Sequence, residues 1–182
     1  MTTDKRNVSD EFKDMSVEDI KKILDTRRHT LQIAVENLER DFNMGTIIRN
    51  ANAFNVSTVH VIGRRQWNKR GAMATDLYME VKYHPTIDAF LNEVRGSHII
   101  GIDNIENSES LASCSLPKNS VLVFGSEGPG LSKEMASACE KIVAIEQFGS
   151  TRSVNVGVAS GIVMYSWIHQ HVLHRSNGNM VG

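Results

Sequence analysis

Proline occurs only 3 times and cysteine only twice in this 182-residue chain. So little proline, with no compositional bias, excludes a collagen-like or low-complexity protein. The two cysteines, Cys114 and Cys139, lie far apart and lack the paired CxxC spacing of zinc or redox sites, so reduced thiols are expected and no metal is indicated. Long apolar runs are also missing. The longest, such as Val121 to Phe124, fall far short of the roughly 20 residues that span a bilayer, which excludes membrane insertion. Nor is there an excess of positive charge: 20 basic residues stand against 21 acidic ones, so any nucleic-acid partner must be held by a local patch. The N-terminus, MTTDKRNVSDEFKD, has neither the apolar core of a secretory signal nor the acid-poor character of a transit peptide, and reads as the polar tail of a cytoplasmic protein. What remains is 41% hydrophobic and 23% charged residues, the composition of one globular domain with a substantial core.

Strand-like and helical patterns alternate along the chain. Ser16 followed by acids predicts an N-cap and a short lead helix to about Arg28, leaving residues 1–30 as tail and lead helix. Residues 31–175 form the main domain and 176–182 a flexible tail. Strands are predicted at LQIAVENL, VSTVHVIG, a brief piece near Val81, HIIGID, SVLVFG and KIVAIE, six in all. Helices fall between them: one with Met44, Ile47, Ile48 and Ala51 on a face, one over about 86–95, one in LSKEMASACE, and a long one over 155–174. The polar stretch Asn104 to Ser115 reads as a surface connection. This order predicts a single α/β domain with a mostly parallel sheet flanked by helices, whose ligands bind at the carboxyl ends of the strands.

Three loops at that edge are unusual. The first runs from Glu36 to the helix carrying Arg49, with Asn43 placed to cap that helix. The second, Gly125-Ser126-Glu127-Gly128-Pro129-Gly130, follows an apolar strand. Its G-x-x-G-x-G spacing fits neither the P-loop nor the dinucleotide pattern, and as a bare pattern it equally suits a tight turn. The third, Gln147 to Asn155, offers Ser153 or Asn155 as a helix cap.

In this order the loops closely resemble the three signature motifs of the SpoU/TrmH RNA 2′-O-methyltransferases of the SPOUT superfamily. The matching residues are N-x-G-x-I-x-R-N-A at Asn43 to Ala51, F-G-S-E-G-P-G-L at Phe124 to Leu131, and S-V-N-V at Ser153 to Val156. The resemblance implies a C-terminal deep trefoil knot, a rare exception to the rule that chains do not knot. It also implies a homodimer and an S-adenosylmethionine (SAM) pocket contacted by backbone at Ile102, Gly125, Ile145 and Val154. Glu127, Gly128, Gln147, Ser153 and Asn155 would shape that pocket, Arg49 takes the place of the catalytic arginine, and Asn43 that of its partner. Val154, Glu146 and Asn55 depart from the family pattern without removing a functional side chain.

The implied reaction is attack of a ribose 2′-hydroxyl on the SAM methyl group. A guanidinium stays protonated in proteins, so Arg49 is better suited to stabilising negative charge than to removing the hydroxyl proton. RNA contact is expected from Arg64, Arg65, Trp67, Lys69 and Arg70, four cations around an aromatic. Lys21, Lys22, Arg27, Arg28 and His29 form a weaker cluster that reads as a solvated face. His169, His171 and His174 lack zinc-motif spacing and read as surface or dimer-contact residues. Only about thirty residues precede the first strand, and Thr151-Arg152-Ser153 resembles tRNA-directed relatives, which favours tRNA over rRNA. The rival readings are an inactive RNA-binding module with the same fold and a Rossmann-type small-molecule methyltransferase. The latter is disfavoured because the glycine loop comes late in the chain.

Overall fold

The computed structural model describes residues 7–37, 43–64, 69–126 and 128–174. Seven strands form one sheet: β1 (Gln32–Asn37), β2 (Thr58–Gly63), β3 (Glu80–His84), β4 (His98–Ile102), β5 (Glu109–Ser110), β6 (Ser120–Phe124) and β7 (Lys141–Ala144). Their spatial order is β3-β2-β1-β6-β4-β7-β5, and every pairing is parallel. Helices α1 (Val17–Asp25), α2 (Met44–Ala53), α3 (Ile87–Glu93), α4 (Lys133–Ala138) and α5 (Val156–Ile168) connect and cover the strands.

Burial on both faces explains the continuous apolar runs of the central strands, since side chains alternate across the sheet. On β1 and β6, Ile33, Val35, Leu122 and Phe124 point to one face, where Met44, Ile47, Ile48 and Ala51 of α2 and Val163 and Trp167 of α5 meet them. Ala34, Val121 and Val123 point to the other, against Phe90 and Met135. Short polar residues start the helices, as expected from sequence for Ser16: it accepts from the Asp19 amide, Thr86 from Ala89 and Ser132 from Met135.

The polar stretch 104–115 departs from its expected role as a plain surface connection. It carries the two-residue strand β5, which adds to β7 at the sheet edge, and buries Leu111 and Cys114 in the core. The strand over KIVA is therefore the seventh rather than the sixth, because hydrogen bonds to β7 and not local propensity make Glu109–Ser110 a strand. The same stretch carries the chain from β4 across β7 to the edge strand β5 and back to β6 on the other side of β4, and α5 packs against it. There Trp167 Nε1 donates to Pro117 O at 3.1 Å and Gln170 Nε2 to Cys114 O at 3.0 Å. The last helix loses its α-geometry after Ile168 and continues as a π-helical turn over His169–Leu173.

The lead helix stops at Asp25, three residues short of the expected end, and frees Arg28 to turn inward. Its side chain is 9% exposed and donates to Asp25 Oδ1 at 2.7 Å, Val56 O at 3.0 Å and the Tyr78 carbonyl. Arg28 is thus a buried tie and not part of a solvated face; burying it is tolerable because those acceptors replace its water. The solvated reading fits Lys22 and Arg27 better, each in an exposed ion pair, with Asp19 and Glu11 respectively.

Across the sheet from α2, His60 is buried in a polar chain. Gln32 Oε1 lies 2.8 Å from His60 Nε2, and His60 Nδ1 lies 2.9 Å from His84 Nε2. An amide oxygen only accepts, so His60 carries its proton on Nε2 and takes one from His84 on Nδ1. Burial, aided by the nearby charges of His84 and Lys82, pushes its pKa down to about 4.

Candidate active site

A cleft of about 160 Å3 opens at the carboxyl ends of β4, β6 and β7, against the start of α5. Ile102, Gly125, Gly128, Ile145, Gln147, Ser153, Val154 and Asn155 all line it. Ile102, Phe124, Val143, Ile145, Val156 and Ala159 form apolar walls, while the backbone of the glycine turn and of 153–155 supplies polar edges. This is the carboxyl edge at which open parallel sheets bind ligands.

The glycine turn owes its shape to a close approach of its two ends. A Cβ on Gly125 would lie 2.0 Å from the Gly130 carbonyl carbon, and Gly130 itself has φ +75°. Only glycine at 125 lets the chain fold back so tightly, and the Gly130 amide then donates to Ser126 O at 3.0 Å. The turn therefore presents backbone to the cleft. Glu127 lies outside the described residues.

Asn155 starts α5 and joins two motifs. Its Oδ1 accepts from the Gly157 and Val158 amides at 3.0 and 3.3 Å, and its Nδ2 donates to Asn43 Oδ1 at 3.0 Å. Of the two candidate caps in the third loop, Asn155 is the one that caps. Asn43 stands at the start of α2 but its side chain makes no capping bond, contrary to expectation. Its backbone is already α-helical, φ −81° and ψ −16°, whereas a side-chain cap needs an extended backbone to reach forward to the helix amides.

Helix α2 is docked to α5 by Asn50, whose Nδ2 donates to Gly157 O at 2.9 Å and Ser160 Oγ at 3.0 Å. Gly45, in the first turn of α2, admits the chain from the basic segment. A Cβ there would lie 2.6 Å from the Ala72 nitrogen, so the 3-10 turn Lys69–Ala72 rests directly on the helix. Arg49 is exposed on α2 and is not among the residues lining the cleft of its own chain. Arg64 is exposed just beyond β2, while Arg65 and Trp67 lie outside the described residues. The structure thus gathers the second and third motifs at the cleft, ties the first to them through Asn43, and leaves Arg49 facing outward.

Three residues here had no role assigned from sequence. Asp103 lines the cleft and accepts from the Leu131 amide at 2.9 Å. Glu36 is fully buried and accepts from the Ser132 amide at 2.8 Å. Glu146 accepts from Ser110 Oγ and from the Ala112 amide, at 3.0 Å, and these bonds hold its carboxyl below the ordinary value. A carboxylate closing an apolar strand reads like any surface acid, and only the position of Asp103 after HIIGI gave a signal.

Cleft chemistry suits a ligand with a flat apolar part and polar ends. Ser126 Oγ and Gln147 Oε1 are buried and have no hydrogen-bond partner among the described residues, and both belong to cleft-lining residues. Buried polar atoms of this kind are costly unless satisfied, so their position fits SAM, whose ribose and methionyl groups offer partners. Among the described residues no group of three or more His, Cys, Asp or Glu is placed to hold a metal, and no helix is long and apolar enough to cross a membrane.

Comparison with known proteins places this geometry. Residues 30–165 match the SpoU rRNA Methylase family. A tRNA (guanosine(18)-2'-O)-methyltransferase of Escherichia coli (strain K12) is 24% identical over 148 residues, covering 79% of this chain and 65% of the relative. The chain thus spans slightly under two thirds of that relative's length. Among solved structures, the A. aeolicus TrmH/SpoU tRNA modifying enzyme superposes with a TM-score of 0.76 at 23% identity, covering 89% of this chain and 84% of the other. The SpoU methyltransferase AviRb from Streptomyces viridochromogenes, in complex with the cofactor AdoMet, gives a TM-score of 0.71 at 21% identity, covering 80% and 59%.

Proposed function

The chain belongs to the SpoU rRNA Methylase family, and on that premise we propose that it transfers the methyl group of SAM to a ribose 2′-hydroxyl of RNA, tRNA in preference to rRNA. The observation that carries the proposal is the joining of three separated motifs at one cleft. Gly125 and Gly128, then Ser153 to Asn155, line it, and the Asn155–Asn43 bond anchors the start of the helix that bears Arg49. The name of the Escherichia coli relative supports tRNA as substrate.

Bound in the cleft, SAM supplies an electrophilic methyl group on a sulfonium. The chain's own residues position and neutralise. Ile102, Ile145 and Val154 give apolar walls that exclude water, while Ser126 and Gln147 offer unmatched polar atoms to the ligand. Arg49 presents a permanent cation to a phosphate or to the 2′-oxygen, favouring the charge that develops as the hydroxyl loses its proton. Phe148, 96% exposed one residue after Gln147, and exposed Arg152 add a stacking surface and a second cation at the rim.

Because Arg49 does not line its own chain's cleft, the proposal includes a homodimer in which it faces the partner's. Val158, Ile162 and Tyr165 support this reading: they are 53%, 40% and 53% exposed and fall at helical spacing on α5, an apolar stripe suited to a second copy.

Radiolabelled SAM and transcribed tRNA test the activity. Label in RNA, resistant to alkali at one nucleotide linkage, is expected. A shift in RNA mobility without incorporation would instead indicate a binding module. Sedimentation of wild type against Ile162→Asp tests the dimer, with the variant expected to run as a monomer.

A further inference from the structure

Strand β6 lies between β1 and β4, and the glycine turn that lines the cleft leaves its end. The ladders pair Phe124 with Val35 on one side and with Ile102 on the other. The next residues, Glu36 and Asp103, therefore flank Gly125 from the two neighbouring strands. After the turn folds back, Leu131 and Ser132 present consecutive amides to these carboxylates: Leu131 N donates to Asp103 Oδ2 at 2.9 Å and Ser132 N to Glu36 Oε2 at 2.8 Å. Asp103 is committed further, because its Oδ1 accepts from the Asn104 amide at 2.7 Å. It also presses on the turn, since a Cβ on Gly130 would lie 2.3 Å from Asp103 Oδ2.

Glu36 is otherwise hard to explain. It is fully buried, and its Oε1 has no hydrogen-bond partner among the described residues. A half-satisfied buried carboxylate opposes folding, and a local structural need would be met as well by an uncharged acceptor. Charge-assisted bonds from backbone amides are short and strong, however, and two of them on adjacent residues fix both the position and the direction of the returning chain.

We infer that Glu36 and Asp103 are positioning residues that grip the returning end of the glycine turn from both sides and so hold the backbone of Gly125, Gly128 and Gly130 in the shape that receives SAM. The inference rests on the reading of the cleft as a SAM site. The grip itself is a property of the SAM-free protein, so it can be tested even if that reading fails.

The two carboxylates differ in how many bonds they use, and this gives the test its ranking. Asparagine at 103 has one acceptor oxygen for two amides, so Asp103→Asn leaves one of them unpaired. Glutamine at 36 keeps an acceptor for the single Ser132 bond, so Glu36→Gln retains much of the grip, while Glu36→Ala abolishes it. Hydrogen exchange in the SAM-free protein is expected to accelerate at Leu131 or Asn104 in Asp103→Asn and at Ser132 in Glu36→Ala. Calorimetry is expected to show the SAM Kd raised about tenfold or more in both, the worth of a charged hydrogen bond, and much less in Glu36→Gln. Transfer to RNA should suffer more at limiting than at saturating SAM. Faster exchange with an unchanged SAM Kd would overturn the inference. So would weaker SAM binding with unchanged exchange, which would make the carboxylates direct ligands. If Glu36→Ala does not fold, the ranking decides: Glu36→Gln must bind SAM better than Asp103→Asn, and the reverse order overturns the grip. Wild-type protein that fails to bind SAM would refute the cofactor reading and leave the exchange result to judge the grip alone.

Discussion

Asn155 faces two ways: its carboxamide oxygen caps α5 through the Gly157 and Val158 amides, and its nitrogen reaches Asn43 Oδ1 at 3.0 Å. The amide cannot rotate by half a turn without setting its NH2 group against the helix amides, so the cap dictates the direction of the bond to Asn43. The starts of α2 and α5, 112 residues apart in sequence, are thereby fixed to each other at the edge of the cleft.

This double role can be divided. Serine caps helices about as well as asparagine but is too short to reach Asn43. Asn155→Ser is expected to unfold within a few tenths of a kcal/mol of wild type, and Asn155→Ala to lose about 1 kcal/mol. Both are expected to lose most methyl transfer. Denaturant unfolding and radiolabel transfer on the same preparations check this; an active Asn155→Ser would show that the Asn43 bond is dispensable.

Arg49 is expected to matter for transfer and not for SAM binding, because it lies outside the cleft of its own chain. Arg49→Ala should bind SAM with wild-type affinity and lose about a hundredfold or more in kcat, the usual worth of one group that stabilises a developing anion. Arg49→Lys keeps the charge without the planar fork and should fall between the two, with a pH profile of unchanged shape. A lysine variant as inactive as alanine would favour a base or strictly bidentate role. Mixing Arg49→Ala subunits with Gly125→Ala subunits, whose cleft turn cannot take the added Cβ, should restore activity if the cation serves the partner's cleft.

Phe148 offers a ring to solvent at the rim of the cleft, 96% exposed. If it stacks on a base, Phe148→Trp should retain RNA binding and Phe148→Leu should not, although leucine is as apolar. Stacking is worth about 1 to 3 kcal/mol per base, so Phe148→Ala should raise the RNA KM about five- to a hundredfold with SAM affinity unchanged. Equal RNA affinity in the leucine variant, or a smaller assembly in the alanine variant than in wild type, would assign the ring to a protein contact.

Acid sensitivity should centre on His60. Its pKa is pushed from 6.5 down to about 4 by burial first and then by the charges of His84 and Lys82, which Glu93 opposes. The unfolded chain therefore takes up a proton that the folded one refuses, and stability is lost as pH falls from about 6.5 towards 4, levelling off below. Roughly 3 kcal/mol is at stake. Burial also lowers the pKa of His84 and His29, so they add in the same direction. Thermal unfolding from pH 7.5 to 4 should show a falling Tm in wild type and a flatter curve in His60→Gln. An unchanged slope would place the acid sensitivity elsewhere.

Sequence by itself determined the class of fold and most of the strands and helices, and a family resemblance pointed to cleft-lining residues such as Gly125, Gly128 and Asn155. The apolar runs of β1 and β6 are legible because burial on two faces calls for apolar residues at successive positions. The helix starts at Ser16 and near Thr86 are legible because helix initiation is local. The glycine turn and the Ser153 to Asn155 segment are legible as cleft residues through their resemblance to the SpoU/TrmH motifs, since their spacing alone equally suits a tight turn and a helix cap. Tertiary structure alone decided the rest. Glu109–Ser110 is a strand only because β7 lies beside it, Arg28 is buried only because Val56 and Tyr78 turn their carbonyls to it, and Asn43 forgoes its cap for a partner more than a hundred residues away. Glu36 and Asp103 look like ordinary strand-end acids until β6 is placed between their strands. Each of these residues takes its role from a contact between distant parts of the chain, and a side chain's local pattern carries no record of which remote backbone group it will meet.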